Sequence, residues 1–351
     1  MKNIFVLTSL SLILFISCQK ENKQKENQEE QNITFSFDST SLKTTALDQT
    51  EPQSFYMRYK FNPGETFKYR LTTISERSQS VVTDSTMTEK MNQTIIFIIN
   101  FKTLGIDKDS VAELQCTFSS INFKANAKGK DITYQSGNEL DSTDRIRFAE
   151  YESYINNPFN IRVGKQGEII DIYMIDKIIN RFLTLRKLAD SLSAQEKVMA
   201  SQELTNSSIK PILAQVFREV PDEEMAKDST WSYKRESLQV TVFKVDYENL
   251  YKIDNLEMLG DDKIAVVTGS IKTDVTGQSS FTEQGVNYKF DKPVSTASGK
   301  IYFNLDRGMI QKSRSQSEMK NAYQMEMPSP QGTKKASAKE QTSSVNVLEL
   351  L

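Results

Sequence analysis

The chain has 351 residues, of which 38% are hydrophobic and 26% are charged, with 44 Lys plus Arg against 46 Asp plus Glu. The net charge of −2 argues against nucleic acid as a partner, because nucleic-acid binders usually carry a clear basic excess. Histidine, the commonest general base and metal ligand, is absent from the sequence. We therefore predict a protein that is not an enzyme and that holds neither a metal nor a cofactor.

The first 17 residues have the composition of an export signal. Lys2 precedes an apolar run that is too short to span a membrane as a helix, and the run ends at Ser17 and Cys18. This junction resembles the bacterial lipobox, a short apolar stretch with a small residue before an obligatory cysteine. The resemblance implies cleavage before Cys18, a diacylglycerol on its sulfur and a fatty acid such as palmitate on the new amino group. The alternative is an ordinary secretory peptide or a short membrane anchor, with an incidental cysteine.

A lipidated Cys18 would make the lipid bilayer the first partner of this protein, since two or more acyl chains form a stable anchor. Gln19 rather than Asp follows the cysteine, which by resemblance to the enterobacterial sorting rule favours the outer membrane, on its periplasmic face or at the cell surface. Residues 18–53 are rich in Gln, Glu, Lys, Asn, Ser and Thr. Such a segment cannot bury enough apolar area to order itself, so we predict a polar tether.

Residues 54–350 are predicted to form a β-rich body. Phe67, Tyr69 and Leu71 alternate with polar residues, which is typical of a half-buried strand. The alternation changes phase at Ser119 and Ser120, which predicts a β-bulge. Cys116 lies in an apolar row of that strand, so we predict a core residue and not a nucleophile.

The middle of the body, residues 174–220, changes to helical spacing. Ile175, Ile178, Ile179, Phe182 and Leu185 form one apolar stripe that needs a sheet to cover it. A second helix is predicted to begin at a capping box formed by Ser193 and Glu196. Residues 207–211 are predicted to interrupt this second helix before a further short one.

Strands return after the helical middle, with Trp231 and Tyr233 alternating. We predict a flexible loop over residues 328–339 and a closing strand over 344–350. Residues 64–69 are similar to 228–233, and two hairpins also match, so the halves are either pseudo-repeats or unrelated hairpins of similar pattern. The predicted fold is therefore α+β, with one or more long curved antiparallel sheets packed on a central helical segment.

The chain resembles a family of Gram-negative lipoproteins of unknown function. The resemblance depends on the first strand of the body at residues 63–69, the hairpin at Gly167, the helical middle, and residues 231–233, where the strands begin again. It spans most of residues 56–350 and implies no activity. More distantly, long strands that wrap helices resemble the half-barrel lipoprotein carriers of the periplasm.

Three functions are open at this point. The first is a structural or assembly module that contacts other envelope proteins. The second is a carrier that binds a lipid-like ligand in an apolar groove between sheet and helices. The third is a hydrolase that uses the carboxylates at residues 222–224 or 261–262, although such acids are usually solvated turn residues. A carrier should contain an enclosed apolar cavity, whereas an assembly module should have a filled core and an exposed apolar patch.

Overall fold

The computed structural model describes residues 42–47, 54–329 and 332–351. The predicted signal peptide, Cys18 and most of the predicted tether lie outside the described residues. Within them, no helix is both long and apolar enough to cross a bilayer.

Most of the described chain forms one large antiparallel sheet that is open and curved, as predicted. The strands of its first half are β1 (Thr45–Ala46), β2 (Thr66–Val82), β3 (Thr86–Ile106), β4 (Ala112–Ala127), β5 (Lys130–Gln135), β6 (Phe159–Val163) and β7 (Ile169–Tyr173). The strands of its second half are β8 (Thr230–Val240), β9 (Phe243–Leu259), β10 (Asp262–Gly277), β11 (Ser280–Glu283), β12 (Val286–Phe290), β13 (Val294–Asn304), β14 (Met309–Ser329) and β15 (Gly332–Leu350).

The strand order explains the similarity of the two halves. Along the sheet the order is β1-β9-β10-β13-β14-β15-β2-β3-β4-β6-β7, with β8 on β9, β5 on β4, and the β11–β12 hairpin on β14. The series β2-β3-β4-β6-β7 and β8-β9-β10-β13-β14 therefore have the same topology, and β15 joins them. The likeness predicted from two hairpins extends to five strands in each half.

The helices cover one face of this sheet, which we call the inner face. They are α1 (Ser142–Arg147), α2 (Ala149–Tyr154), α3 (Asp176–Leu185), α4 (Ala194–Leu204) and α5 (Lys210–Val216). The predicted α3 stripe is buried at Ile178 and Ile179, and the capping box of Ser193 and Glu196 begins α4 as predicted. The predicted bulge is also present, because Ile99 pairs with Phe118 while Ile98 pairs with Ser120.

Aromatic rings fill the contact between the helices and the sheet. The Phe217 ring, just after α5, lies 5.3 Å from the Phe101 ring of β3 and 5.8 Å from the Tyr59 ring, centroid to centroid. Edge-to-face ring pairs of this kind add to the free energy of burial. This contact is therefore packed with side chains.

Three sequence predictions differ from the structure. Residues 328–339 were predicted to be a loop, but 328–329 and 332–339 are paired in β14 and β15, whose small and polar side chains conceal the pairing from a sequence pattern. The interruption at residues 207–211 is wrong, because Thr205–Ile209 form a π-helical turn that runs directly into α5. Within the predicted tether, Thr45–Ala46 pair with β9, and Leu42 packs against Ile264 and Tyr302.

Candidate functional site

A row of opposed side chains crosses the inner face of the sheet just beyond the helix-covered core. Side chains directly opposite each other in antiparallel strands point to the same face. From the β8 edge to β5, the row consists of Trp231, Tyr251, Gly269, Gly299, Ser315, Asn346, Thr73, Ile95, Phe123 and Tyr134. Its two ends are aromatic or branched, whereas its middle is small or polar.

The next row outward has the same character in its middle. Ala297, Ser317, Ser344 and Ser75 oppose one another on β13, β14, β15 and β2. The middle five residues of the first row and these four residues together form a floor two rows deep, which we call the trough. It is five strands wide, which is about 19 Å at the usual strand spacing. Ser317 is exposed, so the floor is open to solvent there.

Glycine is favoured on this floor by close approach. A Cβ on Gly269 would lie 3.3 Å from the Tyr251 ring, and one on Gly299 would lie 3.0 Å from the carbonyl oxygen of Arg314. Glycine inside a strand often marks a place where a ligand or another chain segment comes near. The two glycines therefore leave the floor beside the Tyr251 ring without side chains.

Stacked aromatic rings form the wall on the β8 side. Trp231 stacks on Tyr251 at 5.2 Å, and Tyr233 meets Tyr251 edge-on at 6.5 Å. Burial, assisted by the Glu219 carboxylate, raises the pKa of Tyr233 to about 12. The Trp231 indole nitrogen is shielded from solvent and has no hydrogen-bond partner among the described residues. This wall therefore offers apolar faces together with one N–H donor.

The opposite wall is built by the first half of the chain with help from α2, and its rings belong to the buried core, each at most 3% exposed. The Tyr134 ring lies 5.0 Å from Phe148, and Phe123 lies 5.8 Å from Phe148. Tyr134 Oη donates a 2.7 Å hydrogen bond to Glu152, and burial, followed by this carboxylate, raises the pKa of Tyr134 well above its usual value. The phenol therefore stays protonated and neutral.

The polar groups of the trough carry almost no net charge. Thr73 Oγ1 donates a 2.7 Å hydrogen bond to Asn346 Oδ1 on the floor. Farther out on the inner face, Arg77 and Glu340 form an ion pair at 2.7 Å. Serine hydroxyls and aromatic faces together suit an elongated ligand that is partly apolar and partly hydrogen-bonding.

The residues singled out from the sequence lie elsewhere. Cys18, the predicted lipidation site, is outside the described residues. Cys116 is fully buried, as predicted, and burial raises the pKa of its thiol well above the usual range. Asp222 forms ion pairs with Arg58 at 3.5 Å and with Lys165 at 3.3 Å, which is a structural role.

The second acidic pair is also structural. Asp262 accepts a 2.8 Å hydrogen bond from Asn304, which joins β10 to β13. Among the described residues, no group of three or more metal-ligating side chains converges. These carboxylates therefore hold the turns of the sheet in place.

Two surface grooves are open to solvent and have mixed linings. One, of about 450 Å³, lies at the start of β2 and includes Phe67 and Lys102. The other, of about 310 Å³, lies on the outer face of β14, β15 and β2 and includes Lys320, Lys339 and Ser80. Neither is the enclosed apolar cavity expected of a carrier.

The trough could not be identified from the sequence, because it is assembled from strands far apart in the chain. Gly269 and Gly299, each inside a strand, were the only local signal. The register of five strands was needed to bring the small residues of β10, β13, β14, β15 and β2 together.

Comparison with solved structures gives weak likenesses. A structure titled for lipid–protein interactions in lipovitellin is 13% identical over 83% of this chain, with a TM-score of 0.43, and this chain spans about a quarter (25%) of that chain. A LolA superfamily protein from Nitrosomonas europaea is 7% identical, with a TM-score of 0.11, over 83% of this chain and 86% of that one. A DUF1329 family protein from Desulfovibrio piger is 6% identical, with a TM-score of 0.10, over 79% and 85%. None of these scores indicates a shared fold.

Comparison with known sequences is more specific. No curated protein matches the chain. Residues 109–310, more than half of the chain, match a family of unknown function, DUF6263. The match runs from the turn before β4 to the start of β14, and so includes the helical middle and two strands of the trough floor. The predicted resemblance to a family of unknown function is confirmed, and the chain belongs to DUF6263.

Proposed function

We propose that this protein is a non-catalytic lipoprotein of the cell envelope, anchored through Cys18, that holds an elongated lipid-like ligand in the trough. One observation carries the proposal: a floor of small residues about 19 Å wide lies between two aromatic walls. Acyl chains packed against the half-buried rings of Trp231 and Tyr233 would remove apolar surface from water at about 25 cal/mol per Å², whereas the rings of the opposite wall are already buried. The hydroxyls of the floor and the Trp231 N–H would bind the polar part of the same ligand.

The proposal differs from the carrier expected from the sequence in where the ligand lies. The helix–sheet contact is filled by rings such as Phe217 and Phe101, so the ligand is placed beyond the helices. The filled contact also favours a second candidate, an assembly module that binds an envelope protein. The two candidate functions differ in whether a lipid or a protein occupies the trough.

Photo-crosslinking in cells separates these candidates. A photoreactive phenylalanine analogue is placed at Ser317, which is exposed on the trough floor, and in a matched control at Gln316, which is exposed on the outer face of the same strand. We expect a light-dependent adduct of lipid mass at position 317 and none at position 316. A protein-sized adduct at position 317 would favour the assembly module, and equal adducts at both positions would contradict any specific role for the trough.

A further inference from the structure

A second apolar row crosses the inner face at the free ends of the long hairpins. It consists of Phe290, Tyr323, Ala338, Val81 and Met87, which oppose one another on β12, β14, β15, β2 and β3. We call it the end row. Eight residues of β2 separate it from the trough at Thr73, a distance of about 26 Å at 3.3 Å per residue.

Aromatic rings extend the end row onto the β11–β12 hairpin. The Phe290 ring lies 5.5 Å from Tyr323 and 5.7 Å from Phe281, which stacks on Tyr288 at 5.0 Å. None of these four rings belongs to the main hydrophobic core of the described residues or packs against it. All four are half-buried, and Met87 at the other end of the row is 62% exposed. The end row is therefore an apolar surface separate from the core.

Lysines lie on the opposite, outer face of the same strands. Lys320 and Lys339 line the groove on the outer face of the same strands, together with Lys292. Lys335, near the tip of the β14–β15 hairpin, forms an ion pair with Glu326 at 2.8 Å. Aromatic rings accompanied by long cationic side chains are the composition that proteins use at a membrane–water interface.

We propose that the end row rests on the surface of the lipid bilayer that holds the anchor. The five opposed side chains lie at one height on neighbouring strands over about 19 Å. A bilayer surface can contact the exposed Met87 at one end of the row and the half-buried rings at the other, while Ala338 between them is 4% exposed. A small ligand would need walls around it, and the end row has none comparable to those of the trough. This inference depends on the proposed lipid anchor at Cys18.

The length of chain before the described residues allows this contact. Leu42 packs against Tyr302, which pairs with Lys312 on β14. Tyr323 lies eleven residues farther along β14, or about 36 Å away at 3.3 Å per residue. The 24 residues from Cys18 to Leu42 can span at most about 80 Å. The anchor and the end row can therefore reach the same bilayer, with the trough held close to it.

The test uses the full lipidated chain in vesicles of phosphatidylethanolamine and phosphatidylglycerol. Met87→Cys carries an environment-sensitive dye, and the control is Lys108→Cys, exposed in the turn at the other end of β3. Cys116 is fully buried, so it stays unlabelled while the protein is folded. We expect lipid-borne nitroxides to quench the dye at position 87 several-fold more than the dye at position 108.

Each outcome has a definite meaning. Equal quenching at both positions, in protein that floats with the vesicles, overturns the end-row contact and leaves the anchor intact. Failure of the protein to float with the vesicles overturns the anchor and the end-row contact together.

Discussion

The ring of Phe217 is predicted to hold the helical middle on the sheet. Phe217 is 3% exposed, and its ring contacts those of Tyr59, Phe61 and Phe101 at centroid distances of 5.8, 6.3 and 5.3 Å. Replacing a buried phenylalanine with alanine costs about 3–5 kcal/mol of unfolding free energy. Because each aromatic pair adds about 0.5–1.5 kcal/mol beyond area burial, we expect Phe217→Ala to lie in the upper half of that range.

Urea unfolding of the full chain measures this loss. We expect a lower midpoint with an unchanged slope, which means that stability falls without a change in the surface exposed on unfolding. The control is Met199→Ala on α4, which is 61% exposed and should cost less than about 0.5 kcal/mol. If Phe217→Ala cost no more than this control, the helices would not be held by the ring contact described above.

Three further predictions concern single residues. Gly308 has φ +63°, and a Cβ there would lie 2.5 Å from the Lys60 backbone nitrogen. Gly308→Ala should therefore destabilise the protein well beyond the control Gly260→Ala, because Gly260 has a similar φ of +61° but faces open space. Equal melting temperatures of the two variants would contradict the close approach. Cys116 should react with a thiol reagent at pH 8 only after unfolding, and rapid labelling of the folded protein would refute its burial. The folded pKa of Tyr233, about 12, exceeds the unfolded value near 10. The stabilising contribution of Tyr233 is therefore complete below pH 10 and is lost between pH 10 and 12. Over that interval the Tyr233→Phe variant should lose less stability than the wild type.

Local patterns predicted the parts of the fold whose cause is local. The bulge at Ser119 follows from a phase change in alternation, and the capping box from two residues three positions apart. The burial of Cys116 follows from its place in an apolar row. Each of these depends on a few neighbouring side chains, which a sequence displays directly.

Features with a long-range cause were missed. Residues 328–329 of β14 and 332–339 of β15 are paired because their partner strands fix them, although Ser337, Lys339 and Glu340 show no apolar alternation. Helices α1 and α2 are only six residues each and were not predicted; aromatic packing of Phe148 against Tyr134 accompanies them. The trough depends on the register of five strands, which no local pattern encodes.

The most direct test of the central proposal is to quantify the non-covalent lipid that accompanies the purified protein. Solvent extraction removes such lipid and leaves the acyl groups that we propose are covalently attached to Cys18. Ser317→Trp would place an indole on the trough floor, whereas Gln316→Trp would place one on the outer face of the same strand. We predict extractable lipid near one molecule per chain for the wild type and Gln316→Trp, and the loss of most of it for Ser317→Trp, because the indole would occupy the space of the ligand. Equal lipid in all three proteins, or none in the wild type, would contradict the proposal that the trough holds a lipid-like ligand.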